Sequence, residues 1–488
     1  MDTRKILGFA LGPLGTAVLG FVSVPAIAWA FTPEDVGRLN VLNIIVSFSV
    51  LLASLGLDQA YVREYHETTD HPALLKGCYV PGLSVLALVA LISIPFSGRL
   101  SELFFGASNS LYFWITLICV VATFISRFFS LILRMQERGL AFSFSQVIPK
   151  IVFLLAIALI IITEVPRGYL QLQLAFLASV VTVLLIYAWN TRKDWIPTWR
   201  ASIATQQLRG WLRYSLPLMF AGLAYWGLTA TSALTLRLLS TFRELGIYSV
   251  SMSVAGAAAL IQTVFTVIWA PVVYKWVAND ADMSRVDRVA RQGVAVVTAA
   301  FVMFGMFSWL LDYVLPSQYV DVKYLVVCSI AQPLLYTLSE VTSVGVSIMR
   351  RTMLSFWSTL AALLANLGLN LMLVPRFGAS GAVVANAIAF LIFFVGCTES
   401  SVFVWRRFPR VKLYIFTSGA VVLSVLTVAL GPTIGWLSNA IWFATLPLVI
   451  WAFRDEWRVV ARLLQKAFSD LRKEDLASWS RKGYGRHG

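Results

Sequence analysis

Charge is scarce in this chain of 488 residues: 13% of it is Asp, Glu, Lys or Arg, against 59% hydrophobic residues, and the mean hydropathy is +0.78. About a quarter of a soluble chain is charged, so a soluble globular enzyme is excluded. Cysteine is scarce too. Cys78, Cys119, Cys328 and Cys397 sit inside apolar runs and form no CxxC, which supports neither a disulfide framework nor a metal site. His66, His71 and His487 fall in polar segments, so no His-based centre is expected within the apolar part. There is no GxSxG, no Walker A and no HExxH, and no sizeable outward-facing segment in which to build an active site. The expectation is a non-enzyme without a cofactor.

What the chain has is long apolar runs. Fourteen of them, each near the roughly twenty residues that cross a hydrocarbon core, lie at 6–31, 39–62, 78–97, 111–133, 145–163, 169–189, 214–236, 247–274, 293–311, 324–349, 354–374, 381–404, 413–430 and 436–453. The fold class is therefore an all-α polytopic membrane protein. Arg4-Lys5, the apolar stretch after it and Ala26-Ile27-Ala28 resemble a cleavable signal peptide. The run from Ile6 to Phe31 is too long for a typical signal core and further spans follow at once, so a retained first helix is expected.

The net charge of +15 fits the same picture. With the N-terminus inside, the outer ends and loops carry only Arg38, Arg99, Arg167, Arg237, Arg243, Lys323 and Arg376, and Arg127 and Lys150 lie within spans. The remaining 30 of the 39 Lys and Arg fall on the inner side. This is the positive-inside pattern, so both termini are expected in the cytoplasm, at the inner membrane, and no nucleic-acid partner is needed. The longest inner linker, from Asn190 to Arg213, separates six spans from the rest and reads as a lobe connector along the interface. Expected units are a first lobe at 1–189, the linker at 190–213, a second lobe at 214–405, an extra helix pair at 406–453 and a basic tail at 454–488. In the tail, Trp457, Val460, Leu464, Phe468 and Leu471 alternate with Arg and Lys, a pattern for an amphipathic surface helix. Thr32-Pro33-Glu34-Asp35-Val36-Gly37 and Thr241-Phe242-Arg243-Glu244-Leu245-Gly246 form a weak repeat, each joining the first two spans of a six-helix unit. Six is even, so both copies start on one face and the repeat is parallel.

Ionisable side chains inside spans are costly and need a reason. Span two ends in Asp58, Gln59 and Arg63; span four carries Arg127 and, one to two turns on, Arg134; Lys150 lies about one and a half turns into span five. Together these cations form a candidate basic vestibule for an anion, Arg being shaped for phosphate. The alternative is that Arg63 and Arg134 snorkel to the interface and that Arg127 or Lys150 pairs with Asp58. Arg237 is a candidate release-side contact or else an interfacial anchor. Asp58, Glu340 and Glu399 are candidates for ion coupling, structural pairing being the alternative. Asn40, Asn43, Tyr225, Trp226, Gln262 and Trp269 offer the amides and ring faces that sugars favour, against a plain packing role.

Gly56-Leu57-Asp58-Gln59-Ala60 running into Val62-Arg63 resembles the second-helix motif of bacterial polysaccharide transporters of the O-antigen flippase type. Arg134-Met135-Gln136-Glu137-Arg138 leading to Lys150 resembles their link between helices four and five. Asn366, Asn370 and Val374-Pro375-Arg376-Phe377-Gly378-Ala379-Ser380-Gly381-Ala382 resemble their link between helices eleven and twelve. The resemblance spans about residues 6–405 and places the chain in the multidrug/oligosaccharidyl-lipid/polysaccharide exporter superfamily. It implies two six-helix lobes around a cavity lined largely by helices one, two, seven and eight. The implied partners are membrane lipids and a polyprenyl-pyrophosphate-linked oligosaccharide, moved from inner to outer leaflet by alternating access. Other polysaccharide assembly proteins are further candidate partners. The extra pair at 413–453 is a departure shared with lipid II flippases, whose mid-membrane arginine in helix one is missing here. The rival readings are an ion-coupled multidrug antiporter of the same fold, disfavoured because spans one and seven hold no carboxylate, and a membrane polymerase or ligase, disfavoured by the short outer loops.

Overall fold

The computed structural model describes residues 3–203, 205–279 and 282–458. Among them the chain is helical, with no strand. The first six crossings are α1 (Thr3–Ala30), α2 (Pro33–Ser54) continued by α3 (Leu57–Glu64), α4 (His71–Ser93), then, after the short α5 (Ser97–Phe105), α6 (Ser110–Met135), α7 (Gly139–Ile162) and α8 (Tyr169–Asn190). A linker containing α9 (Arg192–Trp195) leads to α10 (Thr205–Leu239), α11 (Phe242–Ala278) and α12 (Ser284–Phe307). The one-turn α13 (Leu311–Val314) precedes a crossing broken into α14 (Val322–Ser329), α15 (Ala331–Thr342) and α16 (Val344–Ile348). The 52 residues of α17 (Met353–Val404) cross twice, reversing at Gly378, and α18 (Val411–Ile434) and α19 (Leu437–Ala452) form the last pair. Each of the fourteen apolar runs thus falls on helix, and among the described residues nine helices are long and apolar enough to cross a membrane. The face on which the described chain begins and ends is called the terminal face below. The expected amphipathic tail, including Val460, Leu464, Phe468 and Leu471, lies outside the described residues.

Boundaries differ from the hydropathy reading where polar residues are helical. Span two starts at Pro33, not near residue 39. Thr32 caps it by accepting from the Asp35 amide, Pro33 occupies the first turn, and Glu34 and Asp35 lie against the positive end of the helix dipole. Thr241 caps α11 in the same way, accepting from the Glu244 amide. The two copies of the repeated hexapeptide are thus the same structural device.

Those copies also meet. A Cβ at Gly37 would lie 2.2 Å from the Phe242 carbonyl oxygen, and one at Gly246 would lie 1.9 Å from that of Pro33. Only glycine permits such reciprocal backbone contact, as small residues do at helix crossings in membranes. On the terminal half, span two breaks: Leu55 and Gly56 both take left-handed conformations, at φ 50° and 69°. A Cβ at Gly56 would meet the Ser215 carbonyl of α10 at 2.4 Å. The break lets α3 pack on α10 and explains the glycine that opens the second-helix motif.

Buried amides pin α17 to α10. Asn366 donates to the Leu228 carbonyl at 2.8 Å, and Asn370 to Ser232 at 3.1 Å and to Asn366 at 2.7 Å, tying α17 to α10. Such bonds replace a hydrophobic drive that lipid does not supply. The reversal of α17 is fixed from α11, where Glu244 accepts from the Ala379 amide at 2.8 Å. The linker is held down as well. Lys76 donates to the Ala201 carbonyl at 2.8 Å, Gln136 to Asp194 at 2.8 Å, and Arg138 to the Asn190 carbonyl at 2.9 Å.

Candidate functional site

A cavity of about 400 Å³ lies at the junction of the two halves. Gly20, Ser23 and Val24 of α1, Leu39 and Asn43 of α2, Pro149, Lys150 and Phe153 of α7, and Phe176 and Ser179 of α8 line it from the first half. Ser253, Gly256 and Ala257 of α11 line it from the second. Helices one, two and eight contribute as expected. Helix seven does not, and helices five and six take its place.

Among the described residues, Lys150 is the cavity's one cation and no carboxylate lines it. Because α7 begins at Gly139, six residues ahead of the hydropathy estimate of 145, Lys150 lies midway along its helix and deeper than the sequence implied. Its side chain is exposed to the cavity, and it has no hydrogen bond or ion pair among the described residues. Pro149 beside it lacks an amide hydrogen and opens the helix's bonding ladder at this level. Asn43 is also exposed and donates to the Leu39 carbonyl of its own helix at 2.9 Å, leaving its oxygen available. Asn40, one turn back, is half-buried with an unpartnered amide oxygen.

The expected vestibule divides into separate groups. Arg127 is engaged with Asp58: its Nη2 and Nε donate to Oδ2 at 2.6 and 3.2 Å. Asp58 is almost wholly buried, so this pair is what makes a carboxylate tolerable there. Arg63 leans over the Tyr214 ring of α10, 4.5 Å from its centroid, with Glu64 at 3.6 Å. Arg134 is exposed at the end of α6. None of these arginines lines the cavity that holds Lys150.

The other candidates are placed as follows. Trp226 reaches across the lobes, donating to Ser47 of α2 at 3.2 Å beside Phe48. Tyr225 packs on Tyr336, next to which Glu340 lies within the second lobe. Gln262 is half-buried on α11. Trp269 is 5% exposed and stacked on Phe265, with an unpartnered indole N–H, so it packs within the second lobe and does not face the cavity. Glu399 is taken up by Arg410 at 2.6 Å and by the Tyr414 hydroxyl at 2.6 Å.

Arg237 belongs to a cluster that sequence reasoning did not assemble. Its Nε donates to the Phe104 carbonyl at 3.0 Å and its Nη2 to that of Leu103. Arg38 of α2 donates to the next carbonyl, Phe105, at 3.0 Å and to Asp35 at 3.1 Å. The Phe242 ring lies between the two guanidiniums, 4.9 Å from Arg38 and 4.5 Å from Arg237. Two cations therefore cap the negative end of α5, and a ring from the second lobe screens them from each other. This latch joins the lobes on the face opposite the termini. The signal available beforehand was the repeat, which contains Phe242 and ends one residue short of Arg38.

A model of the polysaccharide biosynthesis protein family matches residues 3–276, more than half of the chain. The chain belongs to this family. Among curated family relatives, the succinoglycan biosynthesis transport protein ExoT of Rhizobium meliloti (strain 1021) is 29% identical over 110 residues. That stretch is 22% of this chain and 22% of ExoT, about a fifth of the relative's length. A solved structure of the lipid II flippase MurJ in an inward closed conformation superposes with a TM-score of 0.68 at 13% identity, covering 92% of this chain and 99% of that one. An inward-facing multidrug resistance MATE family transporter of the MOP superfamily gives 0.56 at 14% identity, covering 80% and 95%. At these identities the likeness shows the fold. This family member is a multi-pass membrane protein of polysaccharide biosynthesis, built on the fold shared by those carriers.

Proposed function

We propose that the protein flips a polyprenyl-pyrophosphate-linked oligosaccharide from the inner to the outer leaflet for surface polysaccharide assembly. The observation that carries this reading is the cavity: it is lined from both halves, and among the described residues its only charged group is a lysine without a partner, midway along its helix. A lone cation there calls for an anionic partner, which a pyrophosphate supplies. A carrier of cationic drugs calls for a carboxylate in the same place.

The working parts follow from that assignment. Residues 1–189 and 214–405 act as two lobes joined by the linker at 190–213, with 406–453 an added pair and 454–488 a tail. Both chain ends lie in the cytoplasm at the inner membrane, as the distribution of Lys and Arg requires. Arg63, exposed at the terminal end of α3, and Arg134 attract the headgroup toward the lobe junction. Lys150 takes it at mid-depth, Asn43 meets sugar hydroxyls, and the polyprenyl chain remains in lipid. The Arg38–Phe242–Arg237 latch keeps the outer face shut until the lobes rock apart.

Proteoliposomes carrying a fluorescent polyprenyl-pyrophosphate oligosaccharide test this. The expected result is that the glycan becomes accessible to an impermeant periodate probe in the opposite leaflet, with no uptake of a cationic dye. Dye movement along an ion gradient without glycolipid movement would overturn the flippase reading in favour of the antiporter.

A further inference from the structure

A second and larger cavity, about 800 Å³, opens on the face opposite the termini. The end of α1 and Arg167 line it from the first lobe, and residues 311–313 and 315–320 from the second. Its chemistry differs from that of the membrane-depth cavity. Two aromatic rings line it while remaining largely uncovered, Trp29 at 63% and Tyr313 at 80% exposure. The Trp29 ring is held in place, its N–H donating to the Val314 carbonyl at 2.9 Å. Asp312 is fixed by Lys323 at 2.8 Å through one carboxylate oxygen, which leaves the other open. Arg167 and Gln318 are exposed in the lining and have no partner among the described residues. Tyr319, buried in the wall, carries a hydroxyl without a partner.

We infer that this cavity is a carbohydrate-binding site. Fixed, uncovered ring faces stack against the C–H faces of pyranoses, and planar Asp, Gln and Arg groups bridge neighbouring hydroxyls. Arg167 adds a seat for an acidic sugar or substituent. The volume falls in the range of about 300–1,000 Å³ typical of small-molecule sites, enough for a short oligosaccharide. An interfacial lipid anchor would want a cluster of cations, and among the described residues Arg167 is the one cation lining this space. The lining comes from both lobes, so lobe movement reshapes the site, which suits it to hold the glycan as it leaves. That role rests on the flippase reading; the binding itself does not.

The test uses the full chain in nanodiscs and two lipid-free probes, neutral cellotetraose and acidic hyaluronan tetrasaccharide, read by saturation-transfer NMR. Both sugars are expected to receive saturation. Trp29→Ala with Tyr313→Ala should abolish it, while Trp29→Phe retains it and shows that the fold is intact. Arg167→Gln should weaken the acidic sugar about tenfold, the loss of a charge-assisted hydrogen bond, and leave the neutral one unchanged. No transfer to either sugar, or equal transfer in the double variant, overturns the site. Binding that follows the disc's headgroup composition and not these residues makes the cavity a lipid anchor and overturns it as well. If the sugars bind as expected while the glycolipid is not flipped, the transport reading fails and the site stands.

Discussion

Asp58 and Arg127 form a pair in a place where neither charge is tolerated alone. The carboxylate is buried and the guanidinium partly exposed, so removing one partner strands the other in a span. Asp58→Ala should cost on the order of 2 kcal/mol, below the roughly 3–5 kcal/mol of a fully buried broken pair because Arg127 is partly exposed. In detergent this reads as a melting temperature lower by a few degrees. Asp58→Leu with Arg127→Leu should recover most of the loss, and a double variant as unstable as Asp58→Ala would show that the charges act separately. Asp194 makes a prediction of opposite sign. Burial in the linker raises its carboxyl above the ordinary value of 3.8, with the Gln136 hydrogen bond opposing. The folded chain therefore holds this proton more tightly than the unfolded one. The group's contribution is fully present below 3.8 and is lost as pH rises through the raised value. Asp194→Asn, which still accepts from Gln136, should raise the melting temperature at neutral pH and leave it unchanged at low pH. A lower melting temperature at neutral pH would contradict this.

At the scale of the element, crossings were legible in the sequence because membrane depth imposes one length on every apolar run. Their ends were not. Hydropathy stops at Glu34, Asp35 and Arg38, yet the helix starts at Thr32's cap, because the acids suit the dipole and Arg38 reaches the end of α5. The same error placed Lys150 near the start of span five, since the polar stretch from Gly139 is already helical. Pairings across the bundle were legible only as an alternative to the vestibule: Arg127 meets Asp58, one of the two pairings offered for that carboxylate, and α3 carries Arg63 to Tyr214, while α7 turns Lys150 to open space. The repeat was legible as two matching helix starts, but not that its two copies touch through Gly37 and Gly246. Gly246→Ala would set a methyl against the Pro33 carbonyl and force the helices apart. Phe242→Ala removes the ring between Arg38 and Arg237. Both variants should loosen the face opposite the termini, seen as faster labelling by an impermeant maleimide of a cysteine placed at Val36, with folding preserved. Labelling as slow as in the parent would show that the latch does not hold this face.

Across the whole molecule, the first and second halves of the chain meet through glycines and the latch on one face and through Gly56 and Ser215 toward the other. Between them lies a cavity whose single charge among the described residues faces no counter-ion. The central claim is that this charge receives the anionic headgroup in transit. The most direct measurement is the transbilayer rate of a labelled polyprenyl-pyrophosphate oligosaccharide in proteoliposomes, comparing the parent with Lys150→Gln and Lys150→Arg. The account predicts a loss of at least tenfold in Lys150→Gln, consistent with losing a charge-assisted contact, and substantial retention in Lys150→Arg. Equal rates in the parent and Lys150→Gln, with all three proteins folded, would contradict it.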